Sequence, residues 1–240
     1  MLGHGAVQEE IRFVINPECI VSRLFTEVLR DQEAVLIHGA ERFSAYSGYS
    51  GSFRFAGDFV DQTALDSGGR RQTMIVAMDA TKYDRGSESR QFGARQCKRE
   101  ANKALVAFQA CDSPEVDASD VDEEFGPLQV RPVATGRWGC GVFGGDMLHK
   151  ALLQAVAATV ARRPGMWFHT VGNDQDSATL GALFEAIAER ELDVGDVWAL
   201  LAKFGRRVKK SVAADEPPDF AEFLSDEGLL PPADEPAEET

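Results

Sequence analysis

The chain has 240 residues, 27% of them charged and 44% hydrophobic, with a formal net charge of −14. Ten of the acids lie in residues 212–240, where there is no Lys or Arg, so the remaining body carries only about −4. That balance gives no basic face for tracking DNA, and no apolar run is long enough to span a bilayer as a helix. The four cysteines, Cys19, Cys97, Cys111 and Cys140, have no CxxC spacing. They indicate neither a zinc site nor a redox pair, so no metal or cofactor is expected, and a reducing compartment (nucleus or cytoplasm) is the default. The opening residues lack the basic-then-apolar pattern of a signal peptide.

Leu2 to Val7 is a small-residue loop leading into Gln8-Glu9-Glu10 and the apolar run Ile11–Ile15. Carboxylates beside a loop and an apolar wall have the composition of a general acid/base site. Paired acids at a helix start also simply face water and favour the helix dipole. Asn16-Pro17 signals a helix start, and apolar residues at 20, 21, 24, 25, 28 and 29 predict a helix with a broad buried face. Residues 34–38 read as a buried strand ending at His38. Phe43 to Phe55, aromatic and rich in Gly and Ser, reads as a loop followed by a hairpin. Its rings could stack on a base or pack on the core.

A polar surface excursion follows, then a strand at Thr73–Met78, apolar on both faces and expected to be central. Residues 87–108 read as helix, with Arg95, Arg99 and Lys103 at four-residue steps as a solvated face. Residues 110–127 are acidic and breaker-rich and read as a mobile loop or insertion. The strand Gln129–Thr135 then runs into Gly136-Arg137-Trp138-Gly139-Cys140-Gly141-Val142-Phe143-Gly144-Gly145-Asp146, five glycines in eleven residues, and on into a helix from Met147 to Arg162. Strand, glycine-rich loop and helix N-terminus together suit an anion or diphosphate, although this is neither GxGxxG nor a P-loop. A strand at 166–171, a helix capped by Asp176 or Ser177, and a helix from Asp196 to Lys209 complete the body. The acidic tail from 212 to 240 reads as disordered.

Alternating helices and strands give an α/β class with a mixed sheet covered on both faces. Several of these stretches also carry a family signature. Gln8-Glu9-Glu10-Ile11-Arg12-Phe13 with Ile15-Asn16-Pro17-Glu18 resembles that of the poly(ADP-ribose) glycohydrolases. The likeness continues through Ser22–Leu29, Tyr46–Tyr49, Ala134–Gly136, Trp138–Gly141, Phe143–Asp146 and Leu192–Asp196. The resemblance implies a macrodomain-like fold, a mixed sheet between helical layers, over residues 1–211. It also implies hydrolysis of ribose–ribose bonds in poly(ADP-ribose) with release of ADP-ribose, by a monomer acting in carbohydrate metabolism and the DNA damage response. Met1 falls inside the signature, whose triple glycine would precede Leu2, so the implied catalytic domain lacks its N-terminal portion.

Residue by residue, the resemblance makes Glu10 the catalytic acid/base and Glu9 the partner that binds ribose hydroxyls. It makes Gln8 a pocket residue, Tyr49 the aromatic over the adenine, and Gly141, Val142 and Phe143 the diphosphate loop. Arg137 and Val171 stand where the family pattern has Asn and Phe. Two alternatives remain open: a non-catalytic ADP-ribose-binding module, and an inactive fragment.

Overall fold

A computed structural model describes residues 6–109, 131–211 and 218–232. The chain divides into two compact units. The first contains described residues 6–78, and the second contains 79–109, 131–211 and 218–232. The expected mobile loop at 110–127 lies outside the described residues.

The first unit starts with helix α1, Gln8–Ile15. Ile11 and Ile15, four residues apart, are buried with Ala6, and Tyr46 and Phe53 pack against them. Glu9 and Glu10 occupy the first turn, where negative charge is favourable. The helix ends at Asn16 because Pro17 disfavours the helical region for its predecessor and has no N–H to continue the ladder. The expected long helix after Pro17 does not form. Pro17–Leu24 is a 3-10 segment that buries only Cys19 and Ser22, and the next residues are irregular. Ile20, Val21, Leu24, Phe25 and Val28 are exposed. Their spacing is helical, but a helix draws most of its stability from a packed face, and among the described residues these side chains stay exposed.

Strand β1 (Val35–His38) pairs antiparallel with β4 (Met74–Ala77), Val35 opposite Ala77 and His38 opposite Met74. Neither is the buried or central strand expected. Residues along β1 alternate between half-buried and exposed, β4 is half-buried throughout, and these two strands form a two-stranded sheet. The expected hairpin is present: β2 (Ser44–Ser47) pairs with β3 (Arg54–Asp58), with a register irregularity between Ser44 and Tyr46. Tyr46 meets Phe53 at 5.7 Å between ring centroids, and the Arg42 guanidinium lies 3.9 Å from the centre of the Phe59 ring.

The second unit is built around helix α3 (Met147–Val160), which buries Leu148, Ala151, Leu152, Leu153, Val156 and Ala157. Parallel strands β5 (Val133–Gly136) and β6 (Met166–His169) flank it in sequence. Helix α2 (Ala94–Gln109) packs on α3 and follows a short 3-10 turn, Glu88–Phe92. Helix α4 (Asp174–Glu189) is capped by Asn173, whose Oδ1 accepts the Asp176 N–H at 3.0 Å, rather than by Asp176 or Ser177. Helix α5 (Val194–Ser211) begins before the expected Asp196. Asp193 and Asp196 exchange side-chain-to-backbone hydrogen bonds at 2.9 and 3.0 Å, a capping box that leaves Asp193 as the cap.

The basic face predicted on α2 is also corrected. Arg95 is exposed, but Lys103 is fully buried and Arg99 mostly so, and both pair with Asp79 at 2.7 and 2.6 Å. The acidic tail is corrected in part. Phe220–Asp226 is helix α6, capped by Asp219, and Phe220, Phe223, Leu224, Leu229 and Leu230 belong to the core of this unit. Phe204 of α5 meets Phe92, Phe220 and Phe223 at centroid distances of 4.7, 4.8 and 5.1 Å. Lys203 and Arg207 of α5 pair with Glu227 and Asp226. Apolar residues at helical spacing and these cations outweigh the local acidity.

Candidate active site

Gln8, Glu9 and Glu10 are the first three residues of α1. Gln8 and Glu9 are exposed and Glu10 is half-buried. Consecutive helical residues point about 100° apart, so the two carboxylates diverge. Glu10 Oε2 accepts the Val7 N–H at 2.8 Å, which fixes that carboxylate against the chain entering the helix. Ala6 and Ser50 exchange backbone hydrogen bonds of 3.2 and 2.8 Å, so the Tyr49 turn is tied to the same entry. Tyr49 is 50% exposed, and its turn is closed by Ser52, whose Oγ donates to Tyr49 O at 2.8 Å. The three polar residues and the aromatic singled out from sequence thus all lie in the first unit, on the first turn of α1 and on the turn tied to its entry.

The glycine-rich loop lies in the second unit, between β5 and α3. It is folded by internal hydrogen bonds: Cys140 N to Arg137 O at 3.0 Å, Gly144 N to Gly141 O at 3.0 Å, and Gly145 N to Gly139 O at 2.8 Å. Gly141, Val142 and Phe143 form the exposed tip, and their N–H groups meet no acceptor among the described residues. Backbone amides without an acceptor near a helix N-terminus are groups of the kind that anion sites use. Phe143 O accepts Tyr83 N–H at 2.9 Å, and buried Gln91 brackets the loop's end by donating to Gly144 O and accepting Asp146 N–H at 2.6 Å.

Two of the glycines are required by close approach. A Cβ on Gly139 would lie 2.7 Å from the Ala80 Cβ, and one on Gly145 would lie 2.6 Å from Gly139 O. Asp146 caps α3 by accepting the His149 N–H at 2.8 Å, and burial pushes its carboxyl up to about 6. Burial also pushes the Cys140 thiol up to about 12, which removes it as a nucleophile.

Sequence reasoning missed what lies beneath the loop. Lys150 and Glu100, both buried, form an ion pair. The Lys150 ammonium also sits 4.3 Å from the centre of the Trp138 ring. Gln154 Nε2 donates to Gly136 O at 3.2 Å, and its Oε1 accepts from Thr135 Oγ1. The signal was present: Lys150 and Gln154 are an i, i+4 polar pair in a largely apolar helix, a position that requires buried partners. Arg137, singled out from sequence as a departure from the resemblance, pairs with Asp176 at 2.6 Å. Val171, the other, is 74% exposed with φ of 60°. A cleft of about 500 Å³ between α3, β6 and α4 holds none of the expected site residues.

A family model described as poly(ADP-ribose) glycohydrolase, macro domain fold, matches residues 1–178. The chain belongs to that family. As a poly(ADP-ribose) glycohydrolase family member it has the α/β macro domain class expected from sequence. It is 35% identical to poly(ADP-ribose) glycohydrolase 1 of Arabidopsis thaliana, over 85% of this chain and 46% of that protein. It is 37% identical to the probable poly(ADP-ribose) glycohydrolase 2 of the same plant, over 85% and 43%. Against poly(ADP-ribose) glycohydrolase 1 of Caenorhabditis elegans it is 30% identical, over 85% and 26%. The chain therefore spans less than half the length of these curated relatives.

Proposed function

We propose that this family member hydrolyses the ribose–ribose O-glycosidic bonds of poly(ADP-ribose), with Glu10 as the acid/base. The observation that carries this reading is the fixed Glu10 carboxylate, held through Oε2 by the Val7 N–H at the entry to α1 and tied through Ala6–Ser50 to the Tyr49 turn. Glycosidic cleavage develops an oxocarbenium-like centre and needs a proton on the departing ribose oxygen. Glu10 gives that proton and, as carboxylate, takes one from the water that attacks the same anomeric carbon. Glu9, directed elsewhere around the helix, binds ribose hydroxyls, and Gln8 lines the pocket.

Tyr49, which is half-exposed, covers the adenine. The amides of Gly141, Val142 and Phe143 hold the diphosphate. A reducing compartment, the nucleus or the cytoplasm, fits the free thiols of Cys19, Cys97 and Cys140. A monomer acting on polymer made in the DNA damage response fits the same reading.

The test is incubation of purified poly(ADP-ribose) with the chain and chromatography of the products. ADP-ribose appearing with the wild type and not with Glu10→Gln supports the proposal. Equal turnover by both overturns the assignment of Glu10, and tight binding of ADP-ribose without any turnover turns the proposal into a binding module.

A further inference from the structure

We propose that Lys150, clamped by Glu100, is a positioning residue that sets the glycine-rich loop for a diphosphate-bearing ligand. The inference rests on the diphosphate role proposed for that loop. Lys150 lies on the first turns of α3, and its side chain is fully buried, so it acts through the loop. Its ammonium pairs with Glu100 and lies against the Trp138 ring, while its stem fills the space under the two tight glycines. A Cβ on Gly139 would come within 3.3 Å of Lys150 Nζ, and one on Gly145 within 3.1 Å of its Cε. The same two glycines are joined by the hydrogen bond from Gly145 N to Gly139 O. Lys150 is therefore the floor on which the two ends of the loop meet, and the tip at Gly141–Phe143 projects from that closure.

Glu100 is held in turn. Its Oε1 accepts from Thr81 Oγ1 at 2.7 Å and from Arg99 Nη1 at 2.6 Å, while Arg99 and Lys103 grip Asp79. The clamp thus ties the loop to α2 and to the segment after residue 78. A buried ion pair of this kind is weak grounds for stability, because well-packed apolar residues of similar volume often serve as well or better. What apolar residues cannot supply is the cation's contact with the Trp138 ring. The role assigned to the pair is therefore geometric.

The experiment compares the wild type with the double variant Lys150→Met/Glu100→Leu, which removes both charges and leaves neither stranded, and with Glu100→Gln. Amide hydrogen exchange of Gly141, Val142 and Phe143 is measured beside that of α3, together with affinity for ADP-ribose and for adenosine, which lacks the diphosphate. The expected result is faster exchange at the loop tip with α3 unchanged, and about a tenfold weaker ADP-ribose affinity with adenosine affinity retained, the weight of one amide–phosphate hydrogen bond. Glu100→Gln keeps the shape but leaves the buried Lys150 ammonium without its carboxylate, so it loosens the loop tip at least as much as the double variant. Loop exchange and ADP-ribose affinity equal to wild type in the double variant overturn the proposal. If the double variant fails to fold, Glu100→Gln decides by the same readouts. Should the wild type itself show no ADP-ribose affinity, the diphosphate reading fails, and loop exchange alone judges the positioning role.

Discussion

Replacing Gly145 with Ala tests the closure of the glycine-rich loop. The new Cβ would stand 2.6 Å from Gly139 O and 3.1 Å from both Gly139 C and Lys150 Cε. Two of the three atoms are backbone, so no side-chain rotation relieves the contact. Gly139 O is also the acceptor for the Gly145 N–H at 2.8 Å, and separating the strands of the loop breaks that bond. Overpacking costs ~1–3 kcal/mol and the hydrogen bond ~0.5–1.5 kcal/mol, which together give ~2–4 kcal/mol. Gly141→Ala is the control, since its Cβ would meet nothing within 4 Å. Urea denaturation with ADP-ribose titration distinguishes the two. Gly145→Ala loses ~2–4 kcal/mol and binds ADP-ribose more weakly, while Gly141→Ala stays within about 0.5 kcal/mol of wild type. A weakened affinity in Gly141→Ala at unchanged stability would report a ligand against the tip. Gly145→Ala as stable as wild type refutes the close-packed loop.

Three further outcomes are expected. Phe223→Ala in α6 removes a side chain that is 2% exposed and costs ~3–5 kcal/mol by denaturation, whereas an unchanged midpoint would mean that the 218–232 segment does not pack. The Asp146 carboxyl sits at about 6, above its ordinary value of 3.8, so the stability it contributes is full below about pH 4 and is lost as pH rises through 6. Asp146→Asn keeps a capping side chain without the charge, so it gains up to ~3 kcal/mol at pH 7, less for the partial exposure of this residue, and nothing below pH 4. Equal pH–stability curves would refute the burial of that charge. Val171 holds a β-branched side chain at φ 60°, so Val171→Asn gains ~1 kcal/mol in thermal or chemical melts, and a loss would contradict the strain.

The stretch from β5 through the loop to α3 was legible because strand, glycines and helix are adjacent in sequence and each has its own period. The hairpin at 44–58 was legible for the same local reason. Interactions between distant residues were not. Arg99 and Lys103 repeat at four-residue steps like a solvated face, but their carboxylate is Asp79, some twenty residues earlier. Residues 20–28 have helical spacing, yet among the described residues their apolar side chains stay largely exposed, and the chain keeps only a 3-10 segment. In the tail, ten acids and paired prolines hid five apolar residues that cover Phe204 and its neighbours. Helix caps were misplaced by a few residues at Asn173 and Asp193, because several adjacent Asp, Asn and Ser side chains had equal capping chemistry. Among the candidate site residues, Glu10 was visible as an acid beside an apolar run, but its bond to the Val7 N–H depends on where α1 begins.

The central claim is that Glu10 makes this family member a glycohydrolase. Its most direct test is the initial rate of ADP-ribose release from poly(ADP-ribose) by the wild type, by Glu9→Gln and by Glu10→Gln, with ADP-ribose affinity measured for each. Release is expected from the wild type, and a rate at least ~100-fold lower from Glu10→Gln with ADP-ribose still bound, the scale of a lost general acid/base. Release by Glu10→Gln at the wild-type rate would contradict it.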